Sequence, residues 1–395
     1  MISSTGMSAT NINRHNRRFF CAATTLPLLF FCVKIIQMKT RVYKIGSPSD
    51  AEIIKEAGLI IKQGGLVAFP TETVYGLGGD ALNQNSAKKI YAAKGRPADN
   101  PLIIHINRTD DIKKIADDVP DIFFALAKQF WPGPLTMILK KSSAVPMSTT
   151  GGLPTVAVRM PDNQTALSLI EAAGGFVAAP SANSSGRPSP TLASHVIEDL
   201  DGRIDMILDD GGTRLGLEST IIDLTAPVPE VLRPGAVTKE MLGSVIKARI
   251  ATAQKTKEDD NSPPRAPGMK YRHYAPKARM TIITGDEKDV ISYINKQTAA
   301  EKEAGLITGV IASKQTSDSY QAVSIKCIGD RFDEEDIARN LYRLLREFDD
   351  ENVDIIYSEA FSENGLGQAI MNRLLKAASH QIIDISEEKY DSNRK

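Results

Sequence analysis

Residues that form disulfides or hold metals are scarce in this chain. Three cysteines and five histidines occur in 395 residues; Cys21 and Cys32 lie near the amino terminus and only Cys327 lies in the body. A disulfide framework and a zinc site of thiolates are therefore excluded, and this usage is typical of a reducing compartment. The histidines also lack the His-x-x-x-His spacing of a zinc enzyme. We expect a cytoplasmic protein without a metal site built from protein ligands.

Net charge is also lacking, since 48 lysines and arginines balance 48 acidic residues. Seven of the basic residues lie within residues 1–49, which hold no acid, so the remainder carries 41 basic and 48 acidic residues. A mildly acidic body argues against broad affinity for nucleic-acid backbones. The apolar run Phe19–Val33 is too short and interrupted for a comfortable membrane span. We expect residues 1–37 to be a leader, either disordered or an extension upstream of a start at Met38, and no membrane contact.

Two familiar nucleotide-binding motifs are missing. No Walker-type Gly-x-x-x-x-Gly-Lys-Ser/Thr loop occurs. The run Gly76–Ala81 resembles the dinucleotide fingerprint Gly-x-Gly-x-x-Ala, but that fingerprint requires its first glycine directly after a strand and a helix opening on the loop. Here Pro70–Tyr75 separate the glycines from the strand, and Asn83–Asn85 separate them from the next helix. The sequence therefore disfavours a nicotinamide cofactor.

A candidate ligand site follows the predicted buried strand Leu66–Phe69. Thr71 and Thr73 come after the strand with a glycine cluster, and a predicted helix then ends beside Lys94 and Arg96. Hydroxyls, close-approaching backbone amides and paired cations together suit a phosphorylated ligand. The threonines are equally typical of a turn, and the lysine of a helix end stabilised by charge. Spacing alone leaves both interpretations open.

Two further segments carry polar groups at strand ends. The predicted strand Thr155–Arg159 ends on a guanidinium, which is suited to bidentate binding of a carboxylate but is also compatible with simple solvation. The loop Pro180–Ser189 follows another short strand and is rich in short donors and acceptors, which suit ribose and phosphate oxygens. By composition alone it is an ordinary polar loop.

The composition also divides the chain. Residues 251–278 are polar, charged and proline-rich, which predicts a linker between a first domain at 38–250 and a second at 279–395. Beyond the linker, strand-like and helix-like segments alternate, which predicts an open Rossmann-like α/β sheet. The linker ends in the run APGMKYRHYAP, whose cations and aromatics suit a strap laid over an anionic ligand.

Six motifs together resemble the YrdC family in its two-domain form. They are PTETVYGLG, KGRPADNPL, TVAVRMP, the loop Pro180–Ser189 (which we call the PSAN loop), LESTIID and APGMKYRHYAP. The last motif departs from the family pattern at Ala266, where serine is usual. The resemblance spans nearly everything after Met38. It implies an α/β fold with an N-terminal twisted open mixed sheet flanked by helices, and a smaller C-terminal Rossmann-like α/β domain.

The resemblance also implies a reaction. L-threonine, bicarbonate or CO2 and ATP give threonylcarbamoyl-adenylate and pyrophosphate, which makes the protein a nucleotidyltransferase. Mg2+ accompanies ATP and is held mainly by its phosphates. The product passes to a transferase complex that modifies tRNA beside the anticodon, so tRNA is an indirect partner.

Residue roles follow from the same resemblance. Lys94 and Arg96 are expected to be catalytic. L-threonine is expected to contact Thr73, His105, Arg159, Ala179 and Ser219. ATP is expected to contact Arg96, Asn100, Thr155, Ser181, Asn183, Ser189 and Arg233, and the linker is expected to contact phosphate through Tyr271, Arg272 and His273.

Two alternatives compete with this interpretation. YrdC-like domains have concave, basic surfaces similar to those that bind RNA, so the chain could be a non-catalytic RNA-binding module. Its mildly acidic body weighs against that alternative. Carbamoyl transfer in hydrogenase maturation uses the same domain type, but it requires zinc-finger cysteines and an acylphosphatase segment that this sequence lacks.

Overall fold

The computed structural model of the protein describes residues 39–47, 50–253, 264–270 and 274–386. The predicted leader at 1–37 and the linker residues Tyr271, Arg272 and His273 lie outside the described residues. Two sheets with their flanking helices occupy the rest. We call residues 39–253 the N-terminal part and residues 274–386 the C-terminal part; both belong to one compact unit.

The N-terminal part is built on a mixed sheet of eleven strands among the described residues. The strands are β1 (Arg41–Lys44), β2 (Val67–Phe69), β3 (Gly76–Asp80), β4 (Ile103–His105), β5 (Leu135–Lys140), β6 (Thr155–Arg159), β7 (Val177–Ala178), β8 (Met206–Asp209), β9 (Thr220–Asp223), β10 (Glu230–Arg233) and β11 (Ala251–Thr252). Their order across the sheet is β1-β8-β2-β3-β7-β4-β6-β5-β9-β10-β11. Strand β11 extends this sheet two residues into the segment that composition indicated as linker.

Helices cover this sheet. They are α1 (Ala51–Lys62), α2 (Gln84–Lys94), α3 (Ile112–Ile115), α4 (Asp121–Phe130), α5 (Gln164–Ala172), α6 (Ala193–Leu200) and α7 (Lys239–Ile246). Helix α2 begins where the Asn83 side chain accepts a hydrogen bond from the amide of Asn85. It ends at Gly95, whose φ of 61° is the left-handed conformation that glycine adopts without strain. The cap places Lys94 and Arg96 on either side of a fixed turn.

The central strands are apolar because they are covered on both faces. Ile104 and Val158 are fully buried partners on the parallel strands β4 and β6. Burial of such side chains contributes roughly 1.5–3 kcal/mol each. The same pairing aligns His105 with Arg159 at the strand ends, so the apolar strands fix the level at which two polar side chains leave the sheet.

The C-terminal part is an open parallel sheet with helices. Its elements are β12 (Arg279–Thr284), α8 (Glu287–Glu303), β13 (Thr308–Ala312), β14 (Ser324–Cys327), α9 (Glu334–Asp350), β15 (Ile355–Glu359), α10 (Gly367–Ala377) and β16 (Ile382–Asp384). The strand order is β14-β13-β15-β12-β16, and every pairing is parallel. The predicted Rossmann-like α/β sheet is confirmed. The placing of the domain boundaries at 250 and 279 stays a prediction.

The two parts share a hydrophobic core. Val74 and Leu217 of the N-terminal part belong to the same buried cluster as Leu341 of α9 and Ile370 of α10. At Gly216, with φ of 75°, a Cβ would lie 2.6 Å from the carbonyl oxygen of a residue in α9, so the backbones approach too closely for a side chain. None of the helices in the described segments is long and apolar enough to cross a membrane.

Candidate active site

One open cavity collects most of the predicted site residues. Its lining consists of Thr71, Thr73, Val74, Gly76, Lys94, Arg96, Ile103, His105, Arg159, Ala179, Pro180, Ser181, Asn183, Ser185, Gly186, Arg187, Ser189, Glu218, Ser219, Arg233, Pro267, Gly268 and Tyr274. Five of these side chains are lysine or arginine, and one is glutamate. The cavity therefore suits an anionic ligand.

Arg159 is fixed at the end of β6 by three groups. Its Nη1 donates to Thr73 Oγ1 at 2.9 Å, its Nε donates to the carbonyl of Gly133 at 3.3 Å, and its Nη2 lies 2.5 Å from Glu72 Oε2 in an ion pair. Arg159 and Glu72 are both almost completely buried. Thr73 is held in turn by Thr71, with 2.8 Å between the hydroxyl oxygens. A guanidinium oriented in this way is suited to a carboxylate ligand.

His105 is neutral in this site. Burial, reinforced by the positive charge of Arg159, lowers the pKa of His105 to about 3. Its Nδ1 lies 3.2 Å from the carbonyl oxygen of Ile103, and its ring meets Phe69 edge-on with 6.2 Å between centroids. A neutral imidazole avoids repulsion with the adjacent guanidinium and is available for hydrogen bonds to an uncharged group.

Lys94 holds the PSAN loop. Its Nζ donates to the carbonyl oxygens of Ser181 and Asn183, each at 2.5 Å, and lies 3.3 Å from Asn183 Oδ1. Burial lowers the pKa of Lys94 well below its usual value, and Arg96 lowers it further. The Ser181 hydroxyl also donates to Asn183 Oδ1 at 2.5 Å. Lysine and loop therefore form one network beside the cavity.

Arg96 is braced by its own turn. Its Nη2 donates to Asn100 Oδ1 at 2.6 Å and to the carbonyl of Pro101 at 3.0 Å, and its Nε donates to the carbonyl of Asn100 at 3.3 Å. Burial lowers the pKa of Arg96 to about 10, which leaves the guanidinium charged at neutral pH. Asn100 thus orients this cation and does not line the cavity itself.

Ser219 and Arg233 meet across β9 and β10. Arg233 Nε donates to the carbonyl of Ser219 at 3.0 Å, and its Nη2 donates to Ser219 Oγ at 3.2 Å. The Thr136 hydroxyl lies 2.7 Å from the same Oγ. At Gly235 a Cβ would lie 2.4 Å from the amide nitrogen of Thr220, so only glycine permits this approach of the two segments.

Part of the linker packs beside the Ser219–Arg233 pair. Ala266 is fully buried in a cluster with Ile103 and Leu232. Arg233 Nη1 donates to the carbonyl of Pro267 at 3.4 Å, and Lys376 of α10 donates to the carbonyl of Gly268 at 2.7 Å. Position 266 is therefore an apolar site. The methyl group of alanine packs there, whereas a serine hydroxyl would need a hydrogen-bond partner.

Glu218 is the acidic residue among the described residues that line the cavity. Its carboxylate accepts hydrogen bonds from Ser189 at 2.6 Å, from Tyr342 at 3.1 and 2.9 Å and from Arg373 Nε at 3.0 Å. Burial alone would raise the pKa of Glu218, but Arg373, Arg233 and the Ser189 hydroxyl lower it to about 2. The carboxylate is therefore ionised at neutral pH and fully paired.

The structure brings most predicted residues together but leaves some apart. Those that line the cavity are Thr73, Lys94, Arg96, His105, Arg159, Ala179, Ser181, Asn183, Ser189, Ser219 and Arg233. Asn100 and Thr155 lie outside the lining, although Thr155 shares a strand with Arg159. The roles assigned to all of these residues stay predictions.

Glu72, Glu218, Tyr342 and Arg373 were not singled out as site residues from the sequence. Arg373 does carry a signal in its position, because in α10 it falls in register with the buried Ala369, Ile370, Leu374 and Ala377. A charge on the apolar face of a helix requires a buried partner.

The described residues offer few ligands for a metal ion. Within the described ranges no group of three or more histidine, cysteine or acidic side chains could hold a metal ion. The acids nearest the site, Glu72 and Glu218, are both paired with arginine. The donor set therefore fits a metal only if the ligand's own oxygens supply most of the coordination.

Fold and site define a two-part α/β protein with a cavity lined by cationic and polar side chains, to which the linker residues Pro267 and Gly268 also contribute. A family model described as "Telomere recombination" matches residues 59–235, and one described as "Threonylcarbamoyl-AMP synthase, C-terminal domain" matches residues 237–379. The chain belongs to this Sua5/YciO/YrdC family, in its two-domain form.

Relatives match over most of their length. The chain is 50% identical to the threonylcarbamoyl-AMP synthase of Pyrococcus abyssi over 333 residues, covering 84% of this chain and 96% of the relative. It is 45% identical to that of Bacillus subtilis over 338 residues, covering 85% and 96%. The crystal structure of P. abyssi Sua5 complexed with L-threonine superposes with a TM-score of 0.83 at 48% identity, covering 87% and 99%.

Proposed function

We propose that the protein is an L-threonylcarbamoyl-AMP synthase. It is a nucleotidyltransferase that converts L-threonine, bicarbonate or CO2 and ATP into threonylcarbamoyl-AMP and pyrophosphate. The observation that carries the proposal is that one cavity collects the residues predicted for threonine and most of those predicted for ATP. Relatives that share half of the residues over nearly their whole length bear the same name.

Threonine binds through its carboxylate to Arg159. The guanidinium is already oriented by Thr73 and Glu72, so it presents its remaining donors without reorganising. Neutral His105 and the Ser219 hydroxyl contact the uncharged part of the amino acid. The threonine complex of the P. abyssi relative supports an amino-acid site in this fold.

The chemistry needs positioning more than a protein nucleophile. The threonine amine adds to CO2 with loss of a proton, which gives a carbamate. One carbamate oxygen then attacks the α-phosphorus of ATP in line, a P–O bond forms, and the bond to the β-phosphate breaks to release pyrophosphate. In-line displacement of this kind depends on alignment and charge neutralisation.

The cavity supplies that charge. Lys94, Arg96 and Arg233 lie at the lining with the PSAN loop, whose hydroxyl and amide groups suit ribose and phosphate oxygens. Mg2+ accompanies ATP and is bound mainly by the phosphate oxygens, since the nearby acids are paired. When bound, the metal neutralises phosphate charge. The linker residues Tyr271, Arg272 and His273, which lie outside the described residues, are proposed to contact phosphate as well.

The RNA-binding alternative is weaker on the same geometry. The cations that line the cavity are mostly buried, whereas a phosphate backbone requires an exposed basic face. The product serves a transferase complex that modifies tRNA beside the anticodon, with tRNA as an indirect partner, and the enzyme works in the cytoplasm. The free, exposed Cys327 is compatible with a reducing compartment.

The test is release of pyrophosphate from ATP by the full chain. Release should require both L-threonine and bicarbonate, and mass spectrometry should find threonylcarbamoyl-AMP in equal amount. Omission of threonine is the matched control. Release indifferent to threonine, or RNA binding with a steep salt dependence and no turnover, would replace the synthase proposal with the alternative.

A further inference from the structure

The C-terminal part reaches the active-site cavity through two side chains on neighbouring helices. Tyr342 lies on α9 and Arg373 on α10, and both donate to the carboxylate of Glu218. Arg373 and Tyr342 are completely buried, and Glu218 is 7% exposed. The contact therefore lies inside the molecule and joins the two parts at the cavity wall.

Arg373 holds both segments that carry the Ser219–Arg233 pair. Its Nε contacts the Glu218 side chain at 3.0 Å, and its Nη1 donates to the carbonyl of Pro234 at 2.7 Å. Glu218 precedes Ser219 in the chain, and Pro234 follows Arg233. One guanidinium thus fixes the spacing between the ends of β9 and β10.

Glu218 also contacts the last residue of the PSAN loop. The Ser189 hydroxyl donates to Glu218 Oε1 at 2.6 Å, the same oxygen that Tyr342 contacts at 3.1 Å. Tyr342 itself stacks on Tyr274 with 5.2 Å between ring centroids, and Tyr274 lines the cavity. The carboxylate is therefore a junction between a helix of the C-terminal part and a loop predicted to contact ATP.

Charge gives Arg373 a second effect. The cavity is proposed to hold a triphosphate and a carboxylate, and Glu218 is an ionised acid in its wall. An unpaired carboxylate there would repel both anions, at short range and in a medium of low dielectric. The ion pair with Arg373 removes that repulsion while it keeps Glu218 available to accept from Ser189.

We propose that Arg373 and Tyr342 are positioning residues for the adenylation site, through Glu218, and that the C-terminal part completes the ATP site. Neither side chain is proposed to touch a reacting atom. The inference rests on the proposed function for the identity of the ligand. It goes beyond that function by assigning the C-terminal part a task in nucleotide binding, exerted through Glu218.

The test compares Arg373→Met with a matched control in the full chain. Arg339→Met is the control, because Arg339 on α9 also crosses to the N-terminal part, where its Nε donates to the carbonyl of Arg214 at 3.1 Å, yet its side chain is exposed and does not line the cavity. Affinity for Mg-ATP is measured by calorimetry without turnover, and KM and kcat are measured by pyrophosphate release. Arg373→Met should weaken ATP binding and raise its KM by about tenfold or more, and Arg339→Met should change neither by more than about twofold.

Two further variants separate positioning from folding. Glu218→Gln combined with Arg373→Met removes the unpaired charge and should recover most of the ATP affinity that Arg373→Met loses. Tyr342→Phe removes one hydroxyl, keeps the ring on Tyr274 and should raise the KM for ATP by about threefold, while the protein stays folded with a melting temperature lowered by only a few degrees. These two variants decide the matter if Arg373→Met does not fold.

Equal ATP affinity in Arg373→Met and Arg339→Met would overturn the inference, as would a double variant no better than Arg373→Met. If wild type binds ATP but releases no threonine-dependent pyrophosphate, the proposed reaction fails. The calorimetric comparison then still decides whether Arg373 supports the nucleotide site.

Discussion

His105 and Arg159 occupy matched positions on neighbouring parallel strands. Their pairing across β4 and β6 brings an imidazole and a guanidinium, 54 residues apart in the chain, to one level on one face of the sheet. The positive charge of Arg159 adds to burial in lowering the pKa of His105. The protonation of His105 therefore depends on Arg159, and the first two predictions concern this pair.

Arg159→Lys should impair threonine binding specifically. An ammonium keeps the charge but loses the planar fork that contacts Thr73 and Glu72 together. We expect the KM for threonine to rise by about tenfold to a hundredfold, equivalent to ~1.4–2.7 kcal/mol, with little change in the KM for ATP. Arg214→Lys is the control, since Arg214 is exposed and pairs with Asp162. An equal rise for both substrates would contradict a carboxylate-specific role.

His105 should make the protein sensitive to acid. Its pKa of about 3 in the folded state lies below the value of about 6.5 for an unfolded histidine, so the unfolded chain binds the extra proton between these values. The stabilisation is fully present above pH 6.5 and is lost as the pH falls toward 3. Between pH 6.5 and 4 this loss amounts to roughly 3 kcal/mol at most.

Denaturant unfolding of wild type and His105→Asn at several pH values measures this loss. The difference in unfolding free energy between the two proteins should shrink as the pH falls from 6.5 to 4. A difference independent of pH would show that His105 does not titrate in this way.

Lys94→Met should release the PSAN loop. The loop loses the donors that satisfy the carbonyls of Ser181 and Asn183, and the cavity loses a cation. We expect pyrophosphate release to fall by about a hundredfold or more, or ~3 kcal/mol in the barrier. Lys89→Met is the matched control on the same helix, because Lys89 donates to the carbonyl of Gly64 at 2.6 Å and does not line the cavity. Similar losses in both variants would assign the effect to helix α2 rather than to the site.

Gly235→Ala should disturb Ser219 without adding a charge or removing a side chain. The new methyl would lie 2.4 Å from the amide nitrogen of Thr220 and 2.8 Å from the carbonyl carbon of Ser219, so the backbone must shift. We expect ~1–3 kcal/mol of destabilisation and weaker binding of both substrates. At Gly243 in α7 a Cβ meets open space, and alanine there should stabilise by up to about 1 kcal/mol. Thermal unfolding and kinetics of the two variants check the contrast.

The local parts of the site could be predicted from the sequence. Strands ending in Pro70 and Arg159, the helix ended by Gly95, and the polar loop after Ala179 each have signals within a few residues of one another. The Rossmann-like sheet followed from alternating strands and helices. Such features depend on interactions between residues that are close together in the chain, so they can be predicted from one sequence.

Pairings between distant segments could not be predicted in this way. The ion pair of Arg159 with Glu72 and that of Arg373 with Glu218 join residues 87 and 155 positions apart. Nothing in the spacing states which buried acid meets which buried arginine, because tertiary packing alone decides it. The position of Arg373 on an apolar helix face predicts that a buried partner exists, but not which residue it is.

The core that joins Val74 and Leu217 to Leu341 and Ile370 belongs to neither part alone. A fragment ending after β11 would keep every described strand of the larger sheet, yet it would expose this apolar surface to water. Glu218 would at the same time lose the arginine that neutralises it. A cut at the place where the composition changes would therefore divide one hydrophobic core and separate a buried acid from its counter-charge.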